Sequence, residues 1–376
     1  MKKLLIDCTY FNPFSPMSIE LYTCSLLNGF KSQGDFEVMV LVYKGQEAKI
    51  DEYVGWRVPK IVIAKDSTVT PWPVLDRLLG LISFKQELER YGIDIVLTTW
   101  HFECRFFFPK KYHQHAIVHD LIPYHLMKGV MGPIKYFCWR LYRKCLINNI
   151  SNYISISDGT REELKKMEGV DSVVVHNSIR FDFSIKEAPV EEVAGIPFIL
   201  DVNRYAKYKN AEMLICAFAL IKDKVPHVLY LKGNMHPASD YENLKSIVLS
   251  LGLEDRVILD VAFRSDEEMR YLYAHADLFV SPSLYEGFGW TPIEAAILKT
   301  PVLVSDIAIL REVTCGRIPT FNFRSTKDLA AKMHHLLTNP PGEKELEELS
   351  VFYLERYSPK RQIDELTRIL MRDLED

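Results

Sequence analysis

Eleven short apolar runs, rich in Val, Ile and Leu, recur along the chain with stretches of helical length between them. In the first half they fall at 4–7, 38–43, 61–64, 93–98, 116–119 and 153–156, and in the second at 198–202, 228–232, 257–261, 278–281 and 302–305. The runs are nearly continuous rather than alternating, so a strand built from one must be buried on both faces. Parallel sheets covered by helices meet that demand, and parallel neighbours need crossover connections long enough for a helix. Amphipathic segments at 18–31, 77–91, 134–149, 210–222, 240–251 and 265–275 supply those connections. The fold class is therefore α/β.

The series restarts near residue 197, just after a charged Pro/Gly stretch at 186–195 that reads as a linker. A length of 376 residues suits two cores better than one. The expected organisation is two doubly wound domains, 1–190 and 191–356, facing across a cleft. A last helix, 357–376, has no strand after it and is expected to return to the first domain. Ligands of such sheets bind outside the C-terminal ends of the strands, which makes the cleft the expected site.

Hydrophobic residues at 48% and charged residues at 26% describe an ordinary globular chain, and a net charge of -4 gives no reason to expect nucleic-acid binding. Seven cysteines without a C-x-x-C pair read as reduced residues. The opening Met1–Asp7 has the charge of a signal peptide but too short an apolar run, so it is expected to be the first strand of a cytoplasmic protein. No window approaches the ~20 apolar residues of a membrane span.

The segment from Tyr285 to Ala296, Y-E-G-F-G-W-T-P-I-E-A-A, joins an apolar run to a helix expected to begin near Thr291. Gly287 and Gly289 permit a tight turn and a close approach of ligand to backbone. Thr291 reads as the N-cap, Pro292 as the first helical residue and Glu294 as the partner in a capping box. A glycine loop entering a helix N-terminus presents unpaired N–H groups and a positive dipole end, which suits a phosphate. Glu286 and Glu294 flank it, so a phosphorylated, hydroxyl-rich small molecule is the expected ligand.

With Pro301–Asp306 and Leu310–Val313, this segment resembles the retaining glycosyltransferases of family 4, also called group 1. Arg204, Lys209 and Asn210 are similar to that family's Arg-x4-Lys-Asn element, and His119-Asp-Leu-Ile-Pro123 to its His-Asp-x-x-Pro element. The resemblance implies two Rossmann-like domains of the GT-B type, a nucleotide-diphosphate sugar as donor, and neither metal nor cofactor. No Asp-x-Asp occurs in the chain. The implied catalytic set is Glu286, His119, Arg204 and Lys209. Arg204 and Lys209 would neutralise the leaving diphosphate, Glu286 would hold sugar hydroxyls, and His119 would line the acceptor side. Glu294 would hold the ribose, with Gly287, Phe288, Gly289, Trp290, Thr291 and Phe263 completing the donor site. The His-Asp-Leu-Ile-Pro form leans toward mannosyltransferases and GDP-mannose over a UDP-sugar. The acceptor would be a glycan or lipid-linked saccharide of surface polysaccharide or glycolipid synthesis.

The chain departs from that pattern. Residues 12–19 hold no glycine where the family often has a glycine-rich loop, Lys299 replaces a glycine before Thr300-Pro-Val, and Phe263 stands where a glycine often follows a strand. The missing glycines at 12–19 motivate one alternative, a catalytically silent nucleotide-binding relative, and a sugar-nucleotide epimerase on the same fold is the other. His113, His115 and His119 alternate along a strand pattern without an acidic partner, so no metal is assigned. From Leu121 to Ser157 there is no Asp or Glu, while Lys128, Lys135, Arg140, Arg143 and Lys144 mix with Tyr136, Phe137, Trp139 and Tyr142. Residues 128–144 could thus rest on an anionic membrane surface or pack inward under snorkelling cations.

Overall fold

The computed structural model describes residues 1–11, 18–63, 87–101, 110–122, 124, 132–147, 150–179, 181–234, 238–372 and 374. The glycine-free stretch is therefore described only from residue 18 onward, and most of the expected 77–91 helix and residues 128–131 lie outside the described residues. The chain divides into two compact units, Met1–Arg180 with Pro359–Asp376, and Phe181–Ser358.

The first unit holds a seven-stranded sheet of β1 (Lys2–Asp7), β2 (Phe36–Tyr43), β3 (Lys60–Ile63), β4 (Ile95–Thr98), β5 (Gln114–Val118), β6 (Asn152–Ser155) and β7 (Val173–Val174). Its order is β3-β2-β1-β4-β5-β6-β7, with every pair parallel. The second holds β8 (Phe198–Val202), β9 (Val228–Lys232), β10 (Val257–Asp260), β11 (Leu278–Ser281), β12 (Val302–Ser305) and β13 (Thr320–Phe321). These run β10-β9-β8-β11-β12-β13, again all parallel. The apolar runs are buried as their composition demands: every residue of β4, β5, β11 and β12 is inaccessible to solvent or nearly so. In each sheet the chain winds outward from one central strand and then restarts beside it, so the order reverses between β1 and β4 and between β8 and β11. Each reversal is a switch point, and ligands of such sheets bind there, outside the strands' C-terminal ends.

The closing helix Pro359–Arg372 belongs to the first unit. It crosses the helix Ser18–Gln33 so closely at Gly29 that a Cβ there would lie 2.4 Å from Ile363 Cγ1. Gln362, buried in the same contact, accepts from Ser178 Oγ at 2.8 Å and donates to Tyr22 Oη at 3.3 Å.

Candidate functional site

The loops that leave β8 and β11 meet at the second unit's switch point. Leu284 N–H donates to the Tyr208 carbonyl at 2.8 Å, and Asn210 Nδ2 to the Pro282 carbonyl at 3.2 Å. Asn210 sits at φ 58°, a left-handed conformation that Asn tolerates better than most residues. This stitching places Lys209 Nζ 2.6 Å from Glu286 Oε1, which also accepts from Ser283 Oγ at 2.7 Å. Both side chains are close to buried, at 13% and 10% exposure, so their attraction is weakly screened by water. Arg204, on the same β8 loop, is exposed and has no hydrogen-bond or ion-pair partner among the described residues.

Behind the pair lies an acid that the sequence reading passed over. Asp201, fourth in the apolar run F-I-L-D-V of β8, is 2% exposed and accepts from Asn203 Nδ2 at 2.6 Å. Burial pushes its carboxyl up to about 7, opposed by the Asn203 hydrogen bond and the Lys209 charge, while Glu286 adds to the rise. An acid inside an otherwise apolar strand was the available signal, since such residues are almost never buried without a partner.

The helix Trp290–Ile297 follows from the β11 loop, and its start corrects the sequence reading. Gly289, at φ 91° and ψ 63°, is the N-cap, so Thr291 is the second helical residue and caps nothing. Glu294 falls two residues past the capping-box position, which Pro292 occupies, and accepts from Tyr273 Oη at 2.9 Å. A true capping box forms instead at Ser265 and Glu268 of the helix Asp266–His275. Gly289 is fixed twice over, by its positive φ and because a Cβ would lie 2.7 Å from Leu310 Cδ2. Gly287, Trp290 and Thr291 are half-buried around this helix start. The Phe288 ring is buried edge-on against Tyr357, with centroids 5.3 Å apart, leaving its backbone as the part able to meet a ligand. Phe263, on the loop after β10, is 92% exposed.

In the first unit, a hydroxyl cluster occupies the corresponding switch point. Tyr10 Oη, after β1, is hydrogen-bonded to Thr23 Oγ1 at 2.6 Å and to Thr99 Oγ1, after β4; the two threonine hydroxyls are 2.7 Å apart. His119 lies beside it, just past β5, with Nε2 2.9 Å from the Thr99 carbonyl and its ring edge-on to Tyr22 at 4.6 Å. It is 4% exposed, a packed residue of this unit. His115 is wholly buried within β5, and burial holds its imidazole down at about 3, a neutral ring. Among the described residues no group of three or more His, Cys, Asp or Glu is placed to hold a metal.

Two family profiles cover the chain between them. One described as "Glycosyltransferase Family 4" matches residues 19–183, and one described as "Glycosyl transferases group 1" matches residues 183–350, the span that holds the Lys209–Glu286 pair and the helix after it. The chain belongs to the group 1, family 4 glycosyltransferases. Among curated relatives of this glycosyltransferase, the O-antigen chain mannosyltransferase RfbU of Salmonella typhimurium is 29% identical over 271 residues, covering 69% of this chain and 70% of that one. The serotype-specific mannosyltransferase WbdA of Escherichia coli is 26% identical over 285 residues, covering 69% of this chain. That match takes in only 34% of WbdA, so the glycosyltransferase spans about a third of the length of that relative. Its fold is similar to that of Anabaena HepE, solved with UDP and glucose, at a TM-score of 0.73 and 15% identity over 99% of this chain and 100% of that one.

Proposed function

We propose that this glycosyltransferase moves a hexose from a nucleotide-diphosphate sugar, mannose from GDP-mannose before a UDP-sugar, to a glycan or lipid-linked acceptor of surface polysaccharide synthesis. The Lys209–Glu286 pair at the β8/β11 switch point carries this reading. As the donor breaks, negative charge builds on the leaving diphosphate and must be met by groups already in place. Lys209 offers a compact charge, Arg204 an uncommitted planar fork, and the helix Trp290–Ile297 its N-terminal N–H groups. Three positive groups of this kind can do a divalent cation's work, which supports transfer without a metal. Docking of the diphosphate on Lys209 frees Glu286 to accept from sugar hydroxyls, while Glu294, held by Tyr273, faces the ribose. Phe263, its ring open to solvent, stacks on the base. Retention of anomeric configuration follows the family reading, and no protein nucleophile is assigned. The names of RfbU and WbdA support mannose and surface polysaccharide, and HepE's complex supports a nucleotide-sugar donor.

Thermal melting in EDTA with GDP, UDP, ADP or dTDP tests this. GDP at ~100 times its dissociation constant should stabilise the second unit by about 2.7 kcal/mol. A shift with UDP alone would move the donor to a UDP-sugar, and no shift with any of the four would remove the reading.

The helix Pro133–Ile147 supports peripheral contact at the inner face of a membrane. Ile134, Phe137 and Leu141 form one exposed stripe at helical spacing, between the exposed Lys135 and Lys144. The other cations of that helix turn inward: Arg140 donates to the Met167 carbonyl, and Arg143 is buried against Glu168. Trp139 also packs inward, edge-on to Tyr124 at 4.9 Å. No helix of the described residues is long and apolar enough to cross a membrane. Co-sedimentation with phosphatidylglycerol vesicles at low salt should capture the wild type and lose Phe137→Glu; an unbound wild type would eliminate the contact.

A further inference from the structure

Asp201 has no role in the transfer just described, yet it lies where the charges of the site converge. It is the last fully buried residue of β8, with the Lys209–Glu286 pair as its charged surroundings. The Asn203 amide donates to it at 2.6 Å, and the Val202 backbone N–H also hydrogen-bonds to it. Lys209 is ion-paired with Glu286 at 2.6 Å, and its charge also acts on the buried Asp201. A diphosphate seated on Lys209 claims the same cation and adds like charge beside Asp201. A buried carboxylate that loses its counter-charge is costly, and the least expensive relief is to neutralise it.

We infer that Asp201 takes up a proton from solvent when a sugar nucleotide docks on Lys209, making it a positioning residue that links donor affinity to pH. The inference rests on the donor reading above. Before the ligand arrives the carboxyl already titrates near pH 7 because burial opposes its charge. Anion docking pushes it further up, so the docked state binds more protons than the free state and affinity rises as pH falls. The groups facing Asp201 are Asn203 and Tyr205 from its own loop, Lys209 from the turn Lys207–Lys209, and Glu286 from the β11 loop. Burial, with Asp201 and Asp260 adding to it, pushes the Tyr205 phenol well above its usual range, and its hydroxyl donates to the Leu231 and Asp260 carbonyls. It therefore stays protonated throughout and does not supply the proton.

Calorimetric titration with GDP-mannose and with UDP-glucose, in buffers of differing ionisation enthalpy, reads this directly, because a sugar diphosphate diester has no group of its own titrating near neutrality. Whichever binds should take up on the order of half a proton near pH 7 and weaken roughly threefold per pH unit. Asp201→Asn, which keeps the side chain's shape, should bind without uptake and with flat affinity from pH 6 to 8. Asn203→Ala removes the amide that holds the carboxyl down and should move the uptake window to higher pH. Wild-type binding without uptake, or an Asp201→Asn protein that keeps it, overturns the inference and leaves the donor reading intact. Binding of neither sugar nucleotide overturns both.

Discussion

Replacing Lys209 by alanine is expected to lower sugar transfer about 10²- to 10³-fold, the usual cost of removing one preorganised group that meets developing charge. The side chain is held in a 2.6 Å pair and is only 13% exposed, so water reaches the gap poorly and replaces the ammonium badly. Glu286→Ala is expected to fall by a similar factor, because the pair and Ser283 form one assembly. For the same reason the double variant should lose little more than either single one. Arginine at 209 should not restore activity, since a planar fork does not reproduce a compact charge in a formed pocket. Initial rates at saturating donor, with folding checked by circular dichroism, measure these effects. Near wild-type turnover in folded Lys209→Ala would remove this residue from the mechanism.

The second large effect concerns stability in the first unit. Arg143 and Glu168 form an ion pair at 3.0 Å with side chains 3% and 0% exposed. Arg143 also donates to the His101 carbonyl at 2.9 Å, and Tyr124 Oη donates to Glu168. Arg143→Met should destabilise this unit by about 3–5 kcal/mol, because it strands a buried carboxylate rather than merely deleting an attraction. Removing both charges in Arg143→Met with Glu168→Met should recover most of that loss. Urea denaturation of the transition belonging to the first unit tests both statements. A single variant within about 1 kcal/mol of wild type would mean the pair is solvated in solution.

Much of this architecture is legible in the chain. Runs 198–202, 228–232, 278–281 and 302–305 coincide with β8, β9, β11 and β12, because strands covered on both faces are near-continuous apolar runs set off from the polar segments around them. β7 and β13 are hidden because each is two residues long, too short for any period to show. The helix Glu47–Val54 escapes because only Ile50 and Val54 reach the core. At the site, both glutamates and the Arg/Lys segment stand out as motifs. The contact between Lys209 and Glu286 does not, since it joins residues 77 apart through loops whose stitching depends on the sheet order. The capping box at Thr291 failed for a local reason: Gly289 takes the left-handed turn itself and starts the helix earlier. Asp201 was visible as an acid in an apolar strand, but its meaning depends on the pair beside it.

A crystal structure of the protein with GDP tests the central claim most directly. The terminal phosphate is expected against Lys209, Arg204 and the first turn of the helix Trp290–Ile297, with the ribose hydroxyls on Glu294 and Glu286 released from Lys209. GDP bound elsewhere, with the Lys209–Glu286 pair still closed at 2.6 Å, would contradict it.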